Sequence, residues 1–97
     1  MESFSVNKEV SMNSVYFNNN KQLETFPKQM EYEGNTYMFF NNGWRYLVHK
    51  GKDVIRIFSV TDGKANYRLK LDPIRNCWIL LEIQPLPRHR SLINSQI

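Results

Sequence analysis

The sequence has little cysteine, no glycine-rich segment and no long apolar run. These absences argue against a disulfide-bonded protein, a phosphate-binding loop and a membrane-spanning protein. Cys77 is the only cysteine among 97 residues, so no internal disulfide can form, and a reducing cytosol is expected. The longest run without a polar residue, 77–81, is far too short to span a bilayer. No basic segment followed by an apolar one begins the chain, so a secretory signal is not expected. We therefore expect a soluble cytoplasmic protein without a membrane partner.

Length and charge set broad limits on the fold and on the partner. A chain of 97 residues has room for one domain with a single modest core. Its net charge of +4 and pI near 9.4 favour an acidic partner, either nucleic acid or an acidic protein surface. The aromatic share of 13% suits β-strands.

Residues 29 to 84 alternate apolar and polar side chains in short segments that turn signals separate. The turn signals are Gly34-Asn35, Asn42-Gly43, Lys50-Gly51, Asp62-Gly63 and Pro73-Ile74-Arg75-Asn76. They predict an antiparallel meander of about six strands at 29–33, 36–41, 44–49, 53–60, 64–72 and 77–84. Because one face of this all-β sheet is apolar, we expect it to curl into a barrel, or else a half-barrel.

The segments on either side of the predicted sheet lack a clear period. Residues 1–26 are rich in serine and asparagine, and they predict a partly ordered N-terminal arm that docks Tyr16 and Phe17 on the sheet. Residues 27–85 then form the β domain. Pro85 ends the last strand, because proline cannot donate to a ladder, and 86–97 are predicted as a flexible basic tail.

Two tight turns give a consistent register for the first strands. A type II′ turn at Gly34-Asn35 pairs Tyr32 with Tyr37, and a type I′ turn at Asn42-Gly43 pairs Phe39 with Tyr46. Both turns predict the same apolar core face, whose members are Met30, Tyr32, Tyr37, Phe39, Trp44, Tyr46 and Val48. A slip of one residue would destroy this agreement.

The turn at Thr61–Gly63 decides which charges meet on the opposite face. A three-residue loop pairs Ile57 with Tyr67 and keeps both faces uniform, whereas a two-residue turn mixes polar and apolar side chains on both. The preferred register places Arg56 directly opposite Arg68. Like charges in that position are destabilising by up to about 1 kcal/mol, and a bound anion would relieve the repulsion.

This second face carries the predicted binding site. Arginines that hold phosphates beside aromatic rings that stack on bases are typical of single-stranded nucleic-acid sites on β-sheets. The predicted nucleic-acid or polyanion site comprises Arg45, Arg56, Phe58, Arg68, Lys70 and Trp78.

Two other interpretations of the same face stay open. Long arginine stems commonly lie over apolar surface with their heads in water, so the face can also be purely structural. Its apolar members would instead form a protein-interaction surface, with a homodimer as one form. This alternative interface comprises Met38, Phe40, Leu47, Phe58, Trp78 and Leu80.

No pattern in the sequence predicts catalysis, a metal or a cofactor. Glu31 and Glu33 alternate with apolar residues on a predicted edge strand, without a supporting acid or base. Cys77 has no implied base beside it, and no cysteine and histidine spacing resembles a zinc site. The glycines are isolated in turns and form no phosphate loop. We therefore expect a non-enzymatic binding module.

Overall fold

The computed structural model of the chain describes residues 3–19, 22–40 and 43–87. Its strands are β1 (Phe4–Asn19), β2 (Gln22–Tyr32), β3 (Asn35–Met38), β4 (Trp44–Lys50), β5 (Asp53–Thr61), β6 (Ala65–Asp72) and β7 (Cys77–Pro85). All neighbouring strands pair antiparallel in one sheet of order β3-β2-β1-β7-β6-β5-β4. The predicted all-β antiparallel meander is confirmed, with seven strands in place of about six.

The sheet is strongly curled but it is not closed. β3 and β4 are its two edge strands, yet only residues 39–43 separate them in the chain, so the two edges must approach each other. The ring of Phe26 on β2 lies 5.4 Å from that of Phe58 on β5, and Tyr37 on β3 lies 5.6 Å from Tyr67 on β6. Among the described residues no ladder joins β3 to β4, so complete closure, the first choice from the sequence, does not occur.

The core lies between the two halves of the curled sheet. We call the face that lines it the inner face and the opposite one the outer face. The buried core cluster consists of Met30, Phe39, Phe58, Val60, Ala65, Tyr67, Leu69 and Leu80. Met30 and Phe39 were predicted in the core, whereas Phe58 and Leu80 were assigned to the second face and are fully buried instead.

Most of the predicted N-terminal arm is a strand of the sheet. Residues 4–19 form β1, which lies inside the sheet between β2 and β7. Tyr16 is 68% exposed and is not docked, while the side chain of Phe17 lies outside the described part of the chain. Residues 88–97 of the predicted C-terminal tail also lie outside the described part of the chain.

The loop between β5 and β6 is longer than predicted, and this changes the register. Thr61 lies opposite Asn66, so four residues, 62–65, make the connection. The Asp62 carboxylate oxygen Oδ1 accepts hydrogen bonds from the backbone N–H groups of Lys64 (2.9 Å) and Ala65 (3.1 Å), which stabilises the wider loop. Ile57 lies opposite Lys70 and not Tyr67, a shift of three residues that exchanges the faces of β6 relative to β5.

The predicted pairing of Arg56 with Arg68 is therefore wrong. Arg56 lies opposite Leu71 on β6, and Arg68 lies opposite Ser59 on β5. The repulsion that motivated a bound anion between the two arginines does not arise from this arrangement.

The predicted hairpin between β3 and β4 is also wrong. Phe39 donates its backbone N–H to the carbonyl of Lys28 (2.9 Å), and Phe40 donates to the carbonyl of Thr61 (2.9 Å). The chain thus crosses from one edge of the sheet to the other without pairing Phe39 with Tyr46. Asn42, half of the predicted Asn42-Gly43 turn, lies outside the described residues, as does Asn41.

The remaining turns are close to those predicted. The β2–β3 turn is formed by Glu33 and Gly34, both with positive φ (51° and 80°), one residue earlier than expected. Met30 lies opposite Tyr37, which keeps both on the predicted face. The turn at residues 73–76 is confirmed, because Asp72 lies opposite Cys77.

Candidate functional site

The six residues predicted to bind nucleic acid are divided between the two faces of the sheet. Phe58 belongs to the core cluster, and side chains alternate along a strand, so residues opposite Phe58 share the inner face. Arg68 lies opposite Ser59 and therefore on the outer face. By these pairings the inner face carries Arg45, Arg56, Phe58 and Trp78, and the outer face carries Arg68 and Lys70.

Three of the inner-face members, Arg45, Phe58 and Trp78, contribute to the fold, whereas Arg56 is exposed. Phe58 is 0% exposed, and its ring contacts those of Phe26 and Trp78 at centroid distances of 5.4 Å and 5.1 Å. A ring in that position cannot stack on a base. The guanidinium of Arg45 forms an ion pair with Glu24 on β2.

The residues of the predicted alternative interface are not brought together either. Phe58 and Leu80 are both 0% exposed in the core. Leu47 lies opposite Arg56 on the inner face, whereas Met38 lies between the core-facing residues Tyr37 and Phe39 and therefore on the outer face. The predicted set therefore does not form one continuous surface.

A different apolar surface is exposed on the outer face beside β4. Trp44, Tyr46 and Val48 alternate along this strand and are 76%, 42% and 41% exposed. Tyr46 lies opposite Ile57 and Val48 lies opposite Ile55, so the apolar surface continues onto β5. We call Trp44, Tyr46, Val48, Ile55 and Ile57 the β4–β5 patch.

Ile57 shows how this surface is built. It is only 7% exposed, yet it does not belong to the core cluster. Phe58 and Val60 of the same strand face the core, so Ile57 points to the outer face. On the outer face it lies between Tyr46 on β4 and Lys70 on β6. Neighbouring outer-face side chains therefore cover it, which makes the β4–β5 patch a packed surface.

The hairpin that carries this patch is positively charged. Residues 44–61 contain four cations and a single acid, Asp53, giving a net charge of +3 against +4 for the whole chain. The four cations are Arg45, Lys50, Lys52 and Arg56. Among them Arg45 is neutralised by Glu24.

Two open depressions lie at the two ends of β4. One, of about 290 Å³, is lined by Trp44 together with Ser59, Thr61 and Asn66. The other, of about 260 Å³, is lined by Lys50 together with Ile55, Lys70 and Ile74, and also by Asp53, Asp72 and Pro73. Trp44 and Lys50 are six residues apart in an extended strand, so the depressions are separated by roughly 20 Å.

Tyr67 and Asp72 have shifted pKa values, and both side chains stabilise loops. Burial, then a hydrogen bond from the Tyr67 hydroxyl to Asp62 Oδ2 (2.9 Å), raises the pKa of Tyr67. The backbone N–H groups of Arg75 (3.2 Å) and Ile74 (2.9 Å) donate to Asp72 Oδ1 and lower the pKa of that carboxyl. Within residues 3–19, 22–40 and 43–87, no group of histidine, cysteine and acidic side chains could hold a metal ion.

The chain has no significant match to a protein-family model, a curated protein or a solved structure. In the part of the chain that the structure describes, no helix could cross a membrane.

Proposed function

We propose that the protein is a non-enzymatic binding module that recognises another protein through the β4–β5 patch. The observation that carries the proposal is the exposure of Trp44, Tyr46 and Val48 along one uninterrupted strand. Tyrosine and tryptophan supply much of the binding energy at protein interfaces, because each buries a large area and keeps a polar group. The sequence predicted nucleic acid or another polyanion first and a protein partner as the alternative; the interface proposed here takes the alternative partner but consists of different residues.

Folding alone gives no reason to expose these three side chains. Monomeric proteins rarely expose a large continuous apolar surface, because it favours association with whatever apolar surface is available. Replacing Trp44 by a polar residue would remove little contact with the core, since 76% of it is exposed. Binding of a partner would remove these apolar side chains from water, which is favourable.

The test compares capture of a partner by patch and control variants. Trp44→Ser combined with Tyr46→Thr should abolish cross-linking of cell-lysate proteins to a photoreactive group placed at Lys52, in the turn after β4. Tyr16→Thr is the matched control, because Tyr16 is an aromatic residue 68% exposed on β1. It should leave cross-linking unchanged and unfold within about 0.5 kcal/mol of the parent. The patch variant uncovers Ile57 and should lose about 1–2 kcal/mol, while its amide spectrum stays that of a folded chain.

If the patch variant captured the same proteins as the parent, the proposal would be wrong. Sedimentation of the chain alone, across a range of concentrations, separates a homodimer from a complex with another protein.

Single-stranded nucleic acid is a second candidate, and one observation favours it. On the outer face, Arg68 and Lys70 lie two strands from Trp44 and Tyr46 in the same cross-strand rows, through Ser59 and Ile57 respectively. Exposed aromatic rings beside cations can stack on bases and contact phosphates. Against it, Arg68 is 3.4 Å from Glu82, and the centre of the surface is aliphatic.

Titration with a short single-stranded oligonucleotide distinguishes this candidate. It predicts binding at low salt that weakens steeply as salt is added, because phosphate contacts release counterions. Arg68→Ser with Lys70→Ser should remove that binding. No binding at low salt would exclude the nucleic-acid candidate and leave the protein-binding proposal intact.

A further inference from the structure

The backbone of β4 is available for pairing as well as its side chains. β4 pairs with β5 along its whole length, from Trp44–Ser59 to Lys50–Asp53, without a bulge. On its other side no strand pairs with it among the described residues. All seven residues of the strand are exposed. A row of backbone donors and acceptors is thereby presented in a regular, extended geometry.

β4 has few of the features that usually protect an edge strand. Edges are commonly shortened, bulged, or interrupted by proline or by charged side chains, including ones that point inward as Arg45 does. β3, the other edge, has only four residues, whereas β4 has seven and contains no proline or glycine. Three of its outer-face positions are apolar, and the cation nearest its middle, Arg45, is paired with Glu24.

We propose that β4 accepts an added strand from a protein partner, and that this strand carries acidic residues alternating with apolar ones. This inference rests on the proposed function and names the partner segment that occupies the patch. Strand addition supplies backbone hydrogen bonds, while alternate side chains contact pockets and so give specificity.

Charge decides between this partner and a second copy of the chain. The β4–β5 hairpin carries a net +3, or +2 once the Glu24 that pairs with Arg45 is counted, so pairing β4 with another β4 brings two positively charged hairpins together. An acidic strand is attracted by the same charge, and its apolar side chains cover Tyr46 and Val48. β4 has seven residues, so an added segment of about seven residues in extended form would pair along its whole length.

The experiment uses a capped synthetic peptide of seven residues in which valine and glutamate alternate. Binding to the full chain is followed by backbone amide chemical shifts and by hydrogen exchange at β4. We expect slowed exchange at alternate β4 amides, and an affinity that falls severalfold when salt is raised from about 50 mM to about 500 mM. A peptide with lysine in place of glutamate should bind at least about tenfold more weakly.

Two further comparisons isolate the strand addition. Two peptides are N-methylated on alternate residues, one set odd and one set even. Only one set faces β4, so one methylated peptide should lose binding and the other should keep it. Val48→Glu should weaken binding at least about tenfold through repulsion, whereas Val15→Glu on β1, a valine of similar exposure (45%), should not.

Several outcomes would overturn the inference. The first is that no β4 amide exchanges more slowly at about 1 mM peptide. The second is that both methylated peptides bind the protein as tightly as the unmethylated peptide does. The third is that the peptide shifts amides away from β4 and not those of β4. Protection of β4 in the protein alone, together with a concentration-dependent mass, would assign the edge to a second copy. Protection of β4 by a single-stranded oligonucleotide, but not by the peptide, would assign it to nucleic acid. If partner capture still depended on Trp44 and Tyr46 in any of these cases, the proposed function would stand and only strand addition would fall.

Discussion

Arg45 and Glu24 form an ion pair between β4 and β2, two strands that are not neighbours in the sheet. The Glu24 side chain is only 11% exposed and that of Arg45 is 30% exposed, so water screens the pair only partly. The contact joins the two halves of the curled sheet close to its open side. Arg45 therefore stabilises the curl, a role that its prediction as a phosphate ligand did not anticipate.

Breaking this pair should cost more than breaking an exposed one. Glu24→Gln leaves the Arg45 charge without its partner, and we expect a loss of about 1–3 kcal/mol in the free energy of unfolding. Chemical denaturation of both single variants and of Glu24→Gln with Arg45→Met gives the coupling energy. The exposed pair of Arg75 and Glu9 (3.0 Å) is the control, for which under about 1 kcal/mol is expected. A coupling energy no larger than the control would contradict the bridging role.

Gly43 provides a second prediction, because the structure requires glycine there for a different reason from the one expected. A Cβ at this position would lie 2.8 Å from Val60 Cγ1 and 2.9 Å from both Phe26 Cζ and the Ser59 carbonyl oxygen. Gly43→Asn should therefore destabilise the fold by about 2–3 kcal/mol through overpacking.

Gly51 is the control for the Gly43 prediction. It has a positive φ of 62° and nothing within 4 Å of an added Cβ, and asparagine tolerates that conformation. Gly51→Asn should cost under about 1 kcal/mol by urea denaturation. Equal tolerance at both positions would support the predicted type I′ turn and contradict the close approach at Gly43.

The strand that sequence reasoning missed is the one with an interrupted period. In β1, Val6, Val10 and Met12 all pack against the core cluster. A register shift between Ser5 and Lys8, with Asn7 at a φ of 55°, adds one residue to β1. The second shift, at Asn13 and Ser14, adds its extra residue, Lys28, to the neighbouring strand β2. Because a bulge adds one residue to one strand, a period of two cannot be followed through it. A search that allows one extra residue at Asn7 could have found the strand.

The positions of β3 to β7 were predicted within a few residues. Strand positions follow from local alternation and turn chemistry, which the sequence contains directly. The pairing across residues 39–43 does not, because Asn42-Gly43 is a strong local hairpin signal that the tertiary structure overrides. This one difference exposes Trp44 and Tyr46, which local alternation had assigned to the core, and thereby creates the candidate site.

The β5–β6 register can be checked by cross-linking. In a Cys77→Ser background, Ser59→Cys with Arg68→Cys places two thiols directly opposite each other on the outer face, where a disulfide is geometrically accessible. Arg56→Cys with Arg68→Cys places them on opposite faces of the sheet. Mild oxidation, followed by intact mass and thiol titration, should give an internal disulfide in the first variant only. Cross-linking of the second variant instead would restore the register that was predicted from the sequence.

Tyr67 gives a prediction for alkaline pH. Burial, and next the hydrogen bond to Asp62, raises the pKa of Tyr67 above its ordinary value of 10.0, so the folded state keeps the phenolic proton longer than the unfolded state does. Unfolding above that pH releases a proton, and the free energy of unfolding therefore falls as pH rises, by up to about 1.4 kcal/mol per pH unit. The stabilisation is fully present below pH 10 and is lost as pH rises towards the pKa of the folded state.

Tyr67→Phe should remove this part of the pH dependence, at a cost of about 1 kcal/mol at neutral pH for the lost hydrogen bond. The measurement is urea denaturation of the parent and the variant at several pH values between neutral and about 11. Other tyrosines and the lysines also titrate in this range, so the difference between the two proteins is the quantity to compare. Tyr16→Phe is the control, because Tyr16 is exposed and its replacement should leave the slope unchanged. A Tyr67→Phe protein that loses stability with pH as steeply as the parent would show that this buried hydroxyl does not hold its proton in the folded state.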